Sequence, residues 1–174
     1  MPLILVSSLS AVEKTISAYR PSHLVSLLSP EYMIETPEQI MAEQHLRLAV
    51  NDVLEVWASD SPPNETHVAR LLDFGRSWNA DAPMLVHCWA GISRSMAAAY
   101  TLLCDRAGPG SEFEIARELR TRAAHAYPNA LIVALADRAL GRDGRMIDAV
   151  AGMGRGEFVA EGCCVEFPLA LVGA

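Results

Sequence analysis

The sequence predicts an α/β fold: three layers, with a central, mostly parallel sheet of four to five strands and helices on both faces. Short apolar runs, "LILVS" (3–7), "HLVSLLS" (23–29), "HLRLAV" (45–50) and "PMLVHC" (83–88), have the length and composition of buried strands. Segments of helical rhythm stand between and after them. That order, βαβ followed by another βαβ and then helices, is the pattern of a parallel sheet covered on both sides.

Each element has a local reason. "AVEKTISAYR" supplies the helix after the first strand, and Pro21 stops it. "SPEYMIETPEQIMAEQ" is a proline-punctuated connection with a short helix before the third strand. "NDVLEVWASDSPPNE" forms a loop that ends in Pro62 and Pro63. "ETHVARLLDFGRSW" repeats Val68, Leu71, Leu72 and Phe74 at helical spacing. "PMLVHC" is apolar without alternation, as a strand buried on both faces requires. The helices "SMAAAYTLLCDRAG", "SEFEIARELRTRAAHAY" and "NALIVALADRALG" follow, the last two opening on Ser111 and Asn129 as N-caps. A further short helix falls in "RMIDAVAGM". The final "EGCCVEFPLALVGA" has no clear period and reads either as a tail packed on the body or as a frayed terminus.

The chain has 174 residues, 51% of them hydrophobic and 20% charged, which suits one domain over residues 1–174 with 152–174 as a C-terminal tail. A net charge of −7 argues against a general nucleic-acid binder, and Lys14 is the only lysine. No run approaches about 18 uninterrupted apolar residues, and the start lacks the basic region of a signal peptide, so no membrane span or leader is expected. Cys88, Cys104, Cys163 and Cys164 show neither a disulfide framework nor zinc spacing. Reduced thiols and a cytoplasmic location are the expectation.

"HCWAGISRS" (87–95) concentrates the chemistry. It joins the end of a buried strand to the start of a helix, where parallel sheets place their ligands. A helix N-terminus offers unpaired N–H groups and the positive end of a dipole, both suited to a phosphate. The loop Trp89, Ala90, Gly91, Ile92, Ser93 can wrap its amides around three equatorial oxygens. Gly91 allows the backbone to turn in toward the anion without a side-chain clash. Arg94 adds a planar fork that matches two phosphate oxygens. Cys88 then lies at the bottom of the bowl, and thiols beside cations at helix N-termini ionise easily. Ser95 lies within reach of the sulfur, to stabilise a thiolate and help it leave a phosphocysteine. His87 reads as a support for the loop. Trp89 has two readings, a wall of the rim or ordinary packing.

His-Cys-x5-Arg-Ser with this glycine resembles the signature of the cysteine-dependent protein tyrosine phosphatase superfamily, and "HCWAGISRS" is most similar to its dual-specificity branch. The resemblance implies a mostly parallel sheet with helices on both faces, metal-independent chemistry and no cofactor. It also implies an aspartate, upstream of the cysteine's strand, as the general acid. Asp52 and Asp60 are the candidates, and the strand context of "HLRLAVND" favours Asp52. "YPNA" is similar to a Pro-Asn found after the signature helix in many dual-specificity members.

The function expected is hydrolysis of a phosphomonoester, with phosphorylated protein as the leading substrate and a small phosphomonoester as the other. The loop carries no lysine or histidine, which fits a singly phosphorylated group. Phosphate, sulfate or vanadate is expected to bind in the bowl. A phosphatase for a non-protein ester, a non-catalytic phosphate-binding module and a rhodanese-like sulfurtransferase are the alternatives. Cys104 reads as a core residue. His23, His45, His67 and His125 lack ligand spacing and read as structural or solvated. Arg117, Arg120 and Arg122 read as a solvated face paired with Glu114 and Glu118.

Overall fold

The computed structural model describes residues 2–172. Five strands, β1 (Leu3–Ser8), β2 (His23–Leu28), β3 (His45–Ala49), β4 (Met84–Cys88) and β5 (Val165–Pro168), form one sheet in the order β3-β2-β4-β1-β5. β1 and β2 both pair parallel with β4, and β3 pairs parallel with β2. β5 runs antiparallel to β1, with Val6 opposite Val165 and Leu3 opposite Pro168. The tail is therefore integral to the sheet. Its pairing segment is four residues long with an alternating pattern of burial, too short for a period to emerge from the sequence.

Alternation along the strands divides the interior into two unequal cores. Ile4, Val6, Val25, Leu27, Met84 and Val86 face a large core beneath α2 (Glu65–Ser77), α3 (Arg94–Ala107), α4 (Glu112–Arg122), α5 (Ala130–Ala139) and α6 (Arg145–Met153). Leu3, Leu5, Leu24 and Leu85 face a smaller one closed by Val12 and Ile16 of α1 (Val12–Tyr19) and by Ile40. In α3 every residue from Arg94 to Cys104 is buried, because "MAAA" lets neighbouring elements approach on all sides. No helix among the described residues is long and apolar enough to cross a membrane.

Two local expectations are corrected. The segment before β3 holds two 3-10 turns, Pro30–Tyr32 and Ala42–Gln44, and no α-helix. Ser111 precedes α4 but makes no side-chain cap, since its hydroxyl donates to the Gly108 carbonyl instead. Asn129 does cap α5, accepting from the Ile132 amide at 3.0 Å. Arg117 and Arg122 pair with Glu114 and Glu118, whereas Arg120 donates at the surface to the carbonyls of Ala124 and Gly154. Cys104 is fully buried.

Because Phe167 is completely buried in β5, Phe167→Ala should remove about 3–5 kcal/mol of stability, measured by urea unfolding. A loss below ~1 kcal/mol would mean that β5 docks only loosely.

Candidate active site

β4 is the middle strand, and its last residue, Cys88, is buried at the carboxyl edge of the sheet, where the chain turns through Trp89–Ser93 into α3. The turn is held from outside by its carbonyl groups. Trp89 O accepts from the Leu9 amide at 3.0 Å and Ala90 O from the Gly162 amide at 2.8 Å. Ile92 O accepts from the Tyr127 amide at 2.9 Å, and Ser93 O from the amides of Ala97 at 3.0 Å and Asn129 at 3.3 Å. In a trans peptide the N–H points opposite to the C=O, so carbonyls fixed outward turn the amides into the bowl. Among the described residues, no amide of Trp89–Ser93 donates to a protein acceptor.

Gly91 is required for a reason other than the one expected. Its φ is +71°, and a Cβ there would lie 2.8 Å from the backbone of Ser7 and Ser8. The crowding is with the end of β1 on the outer side of the loop, rather than with an anion on the inner side.

Cys88 Sγ lies 3.0 Å from Ser95 Oγ. Arg94 is 5% exposed; its Nη1 donates to Val50 O at 2.8 Å, while its buried Nε has no hydrogen-bond partner. Asp52 Oδ2 is 3.7 Å from that Nε. Asp52 Oδ1 accepts from Ser93 Oγ at 2.7 Å and from Asn129 Nδ2 at 2.8 Å. Asp60 is exposed and lines the same shallow depression as Glu31 and Asp52, but makes no hydrogen bond among the described residues. Trp89 is half exposed and lies against Tyr32, with ring centroids 4.9 Å apart.

A buried polar chain runs under the loop. His87 Nδ1 lies 3.4 Å from the Cys88 carbonyl, which can only accept, so Nδ1 carries the proton. In the neutral ring Nε2 then accepts from Ser26 Oγ at 2.6 Å. Ser26 Oγ in turn accepts from His45 Nε2 at 2.8 Å, and His45 Nδ1 accepts from Thr36 Oγ1 at 2.9 Å. Donation thus runs from Thr36 through His45, Ser26 and His87 to the backbone of Cys88. Burial pushes both rings down to about 4, aided at His45 by Arg47, which keeps the chain neutral at ordinary pH.

Ser26 and Thr36 escaped the reading of the sequence because they lie on separate segments, and a serine inside an apolar strand carries no local signal; His45, read as structural or solvated, is the buried link between them. Asn129 was visible only as a cap, yet it also holds Asp52.

The comparisons with known proteins agree with this architecture. The family model for protein-tyrosine phosphatase matches residues 32–127, more than half of the chain. The solved structure of DUSP15 is similar at 18% identity, covering 88% of this chain and 91% of that one, with a TM-score of 0.62. PTPMT1 in complex with PI(5)P is similar at 13% identity, covering 86% and 91%, with a TM-score of 0.57. The PTP-2 phosphatase of Cydia pomonella matches at 14% identity over 94% and 92%, with a TM-score of 0.52. No curated protein sequence matches the chain.

Ser26→Ala should strand two buried imidazole nitrogens and cost about 1–3 kcal/mol in chemical unfolding. All five histidines are lowered by burial, so the unfolded chain binds more protons than the fold below pH ~6.5. Stability should therefore decline as pH falls from ~6.5 toward 4, and a flat profile across that window in pH-dependent unfolding would contradict the assignment. The family model covers more than half of the chain and the fold is like that of DUSP15, so the chain belongs to the protein-tyrosine phosphatase family.

Proposed function

We propose that this chain hydrolyses phosphomonoesters through a phosphocysteine intermediate, with phosphorylated protein, at tyrosine or at serine and threonine, as substrate. One observation carries the reading. Cys88 Sγ beside Ser95 Oγ, the amides turned into the bowl and the unpartnered Arg94 Nε all converge on the same loop.

In the first step the Cys88 thiolate attacks phosphorus in line with the ester oxygen. The S–P bond forms, the P–O bond breaks, and Asp52 gives its proton to the departing oxygen. Ser93 and Asn129 both hold Asp52 Oδ1, which leaves Oδ2, the oxygen nearer Arg94, to carry that proton. In the second step Asp52 takes a proton from water as the water oxygen attacks phosphorus. The S–P bond breaks, and the Ser95 hydroxyl stabilises the leaving thiolate. Arg94 and the loop amides hold the three equatorial oxygens through both steps. The scheme calls for neither a metal nor a cofactor.

Trp89, Ala90, Ile92 and Ser93 add no cation to the bowl, which favours a singly phosphorylated group. One structural neighbour binds PI(5)P, and the loop here offers Arg94 alone as a charged partner for a headgroup. A non-protein ester with an apolar tail is the second reading, favoured by exposed Leu54, Val56 and Trp57 on the loop that follows Asp52. We place the enzyme in the cytoplasm, where its catalytic thiol stays reduced, and its acidity disfavours nucleic acid as a partner.

Cys88→Ser should abolish hydrolysis of p-nitrophenyl phosphate while leaving anion binding measurable by calorimetry; undiminished turnover would sink the mechanism. Asp52→Asn should slow alkyl phosphates by roughly 10²–10⁴-fold and p-nitrophenyl phosphate far less, because p-nitrophenolate departs without a proton. If Asp60→Asn shows that pattern and Asp52→Asn does not, the acid is Asp60.

A further inference from the structure

The C-terminal segment does more than complete the sheet. Between α6 and β5, residues 154–164 cross the outside of the phosphate loop as an irregular strap. Its first part is fastened to the end of α4 and the turn after it. Arg120 Nη2 donates to Gly154 O at 3.0 Å, and the Glu157 amide donates to Ala124 O at 2.8 Å. Its last part is fastened near β1, where Ser10 Oγ donates to Glu161 Oε2 at 2.6 Å. Immediately after Glu161 the Gly162 amide donates to Ala90 O.

Gly162 is also in contact with two other groups. A Cβ at this position would fall 2.3 Å from His125 Nε2 and 2.9 Å from Gly91 O. The glycine therefore lies where the imidazole and the loop carbonyl meet. His125 is 7% exposed, and its buried Nε2 lies beside the Gly91 carbonyl without completing a hydrogen bond to protein among the described residues. Burial pushes this ring down, while the Gly91 carbonyl beside it favours the N–H form. Leu9, Tyr127 and Asn129 anchor Trp89 O, Ile92 O and Ser93 O from other parts of the fold. Among the described residues Ala90 O accepts from the Gly162 amide, and Gly91 O lies against Gly162 and His125.

We propose that Gly162 and His125 are positioning residues of the phosphate loop, fixing the carbonyls of Ala90 and Gly91 outward so that the neighbouring amides face the anion. Neither residue touches substrate. Each acts through the peptide planes at the crown of the bowl, and glycine is the residue that lets the strap lie close enough to do so. The inference rests on the phosphatase reading for its kinetic consequence, but its geometric content concerns oxyanion binding alone.

The test is Gly162→Ala, with Gly152→Ala as the comparison, since a methyl at Gly152 meets nothing within 4 Å. In the intact protein Gly162→Ala should lower kcat on p-nitrophenyl phosphate about tenfold or more while KM changes less than ~threefold, because the loop amides bind the transition state most tightly. Orthovanadate, which mimics that state, should bind about tenfold more weakly by calorimetry. Gly152→Ala should keep both values. His125→Ala should show a smaller loss of kcat and vanadate affinity. In the His125→Ala background, adding Gly162→Ala should cost at least about threefold less than it does alone, since the ring that the methyl strikes is gone.

A Gly162→Ala protein that matches the parent in kcat and vanadate affinity overturns the proposal, even if its unfolding midpoint has dropped. Fully multiplicative losses in the double variant overturn the claim that the two residues act together. Should the parent hydrolyse no phosphate ester, the catalytic reading falls, and vanadate affinity still decides the role of the strap. A parent that binds no oxyanion overturns both.

Discussion

The site depends on one constraint: the carbonyls of the loop Trp89–Ser93 cannot face inward if the loop is to hold an anion. The carbonyls of Trp89, Ala90, Ile92 and Ser93 each accept from a donor on the far side, from the residue after β1, from the segment before β5 and from the turn before α5. The loop is thus a surface of the surrounding fold rather than a motif complete in itself. Its amides are preorganised because rotating any one of them would leave a donor elsewhere unpaired, and an unpaired buried amide costs more than the hydrogen bond returns in water.

Beneath the bowl a second layer acts on the nucleophile's backbone. Thr36, His45, Ser26 and His87 pass one direction of donation across three adjacent strands and end on the Cys88 carbonyl. The tautomer of each ring follows from that terminal acceptor, and the neutrality of both rings keeps positive charge out of the sheet. Beside the bowl, Asn129 joins two tasks that the sequence presents as one. It starts α5 and it orients Asp52, so the position of the carboxylate is tied to a helix rather than to the mobility of its own loop.

The fold was legible where chemistry repeats locally. Four apolar runs marked β1 to β4, helical spacing marked α2, and a helix of small and apolar residues marked the buried α3. The site was legible where it is contiguous, from His87 to Ser95. What stayed hidden was non-local. Ser26 and Thr36 are unremarkable until β2 and β3 lie side by side, and His125 looks like a surface histidine until Gly162 is laid over it. β5 escaped because a four-residue edge strand owes its identity to β1, its partner at the other end of the chain. Gly91 was identified for the right property and the wrong neighbour: its backbone does need freedom, but the crowding comes from Ser7 and Ser8.

The antiparallel pairing of β5 with β1 has a consequence for the order in which the protein is made. The ribosome produces Cys88 and Arg94 long before Gly162 and β5, and the pairing of the final strand brings the chain's last described segment back to its first. Until those residues emerge, the nascent chain carries the nucleophile on a loop whose Ala90 carbonyl lacks its donor. The loop therefore gains its Ala90 donor only after β1 to β4 and the helices that surround it have been made.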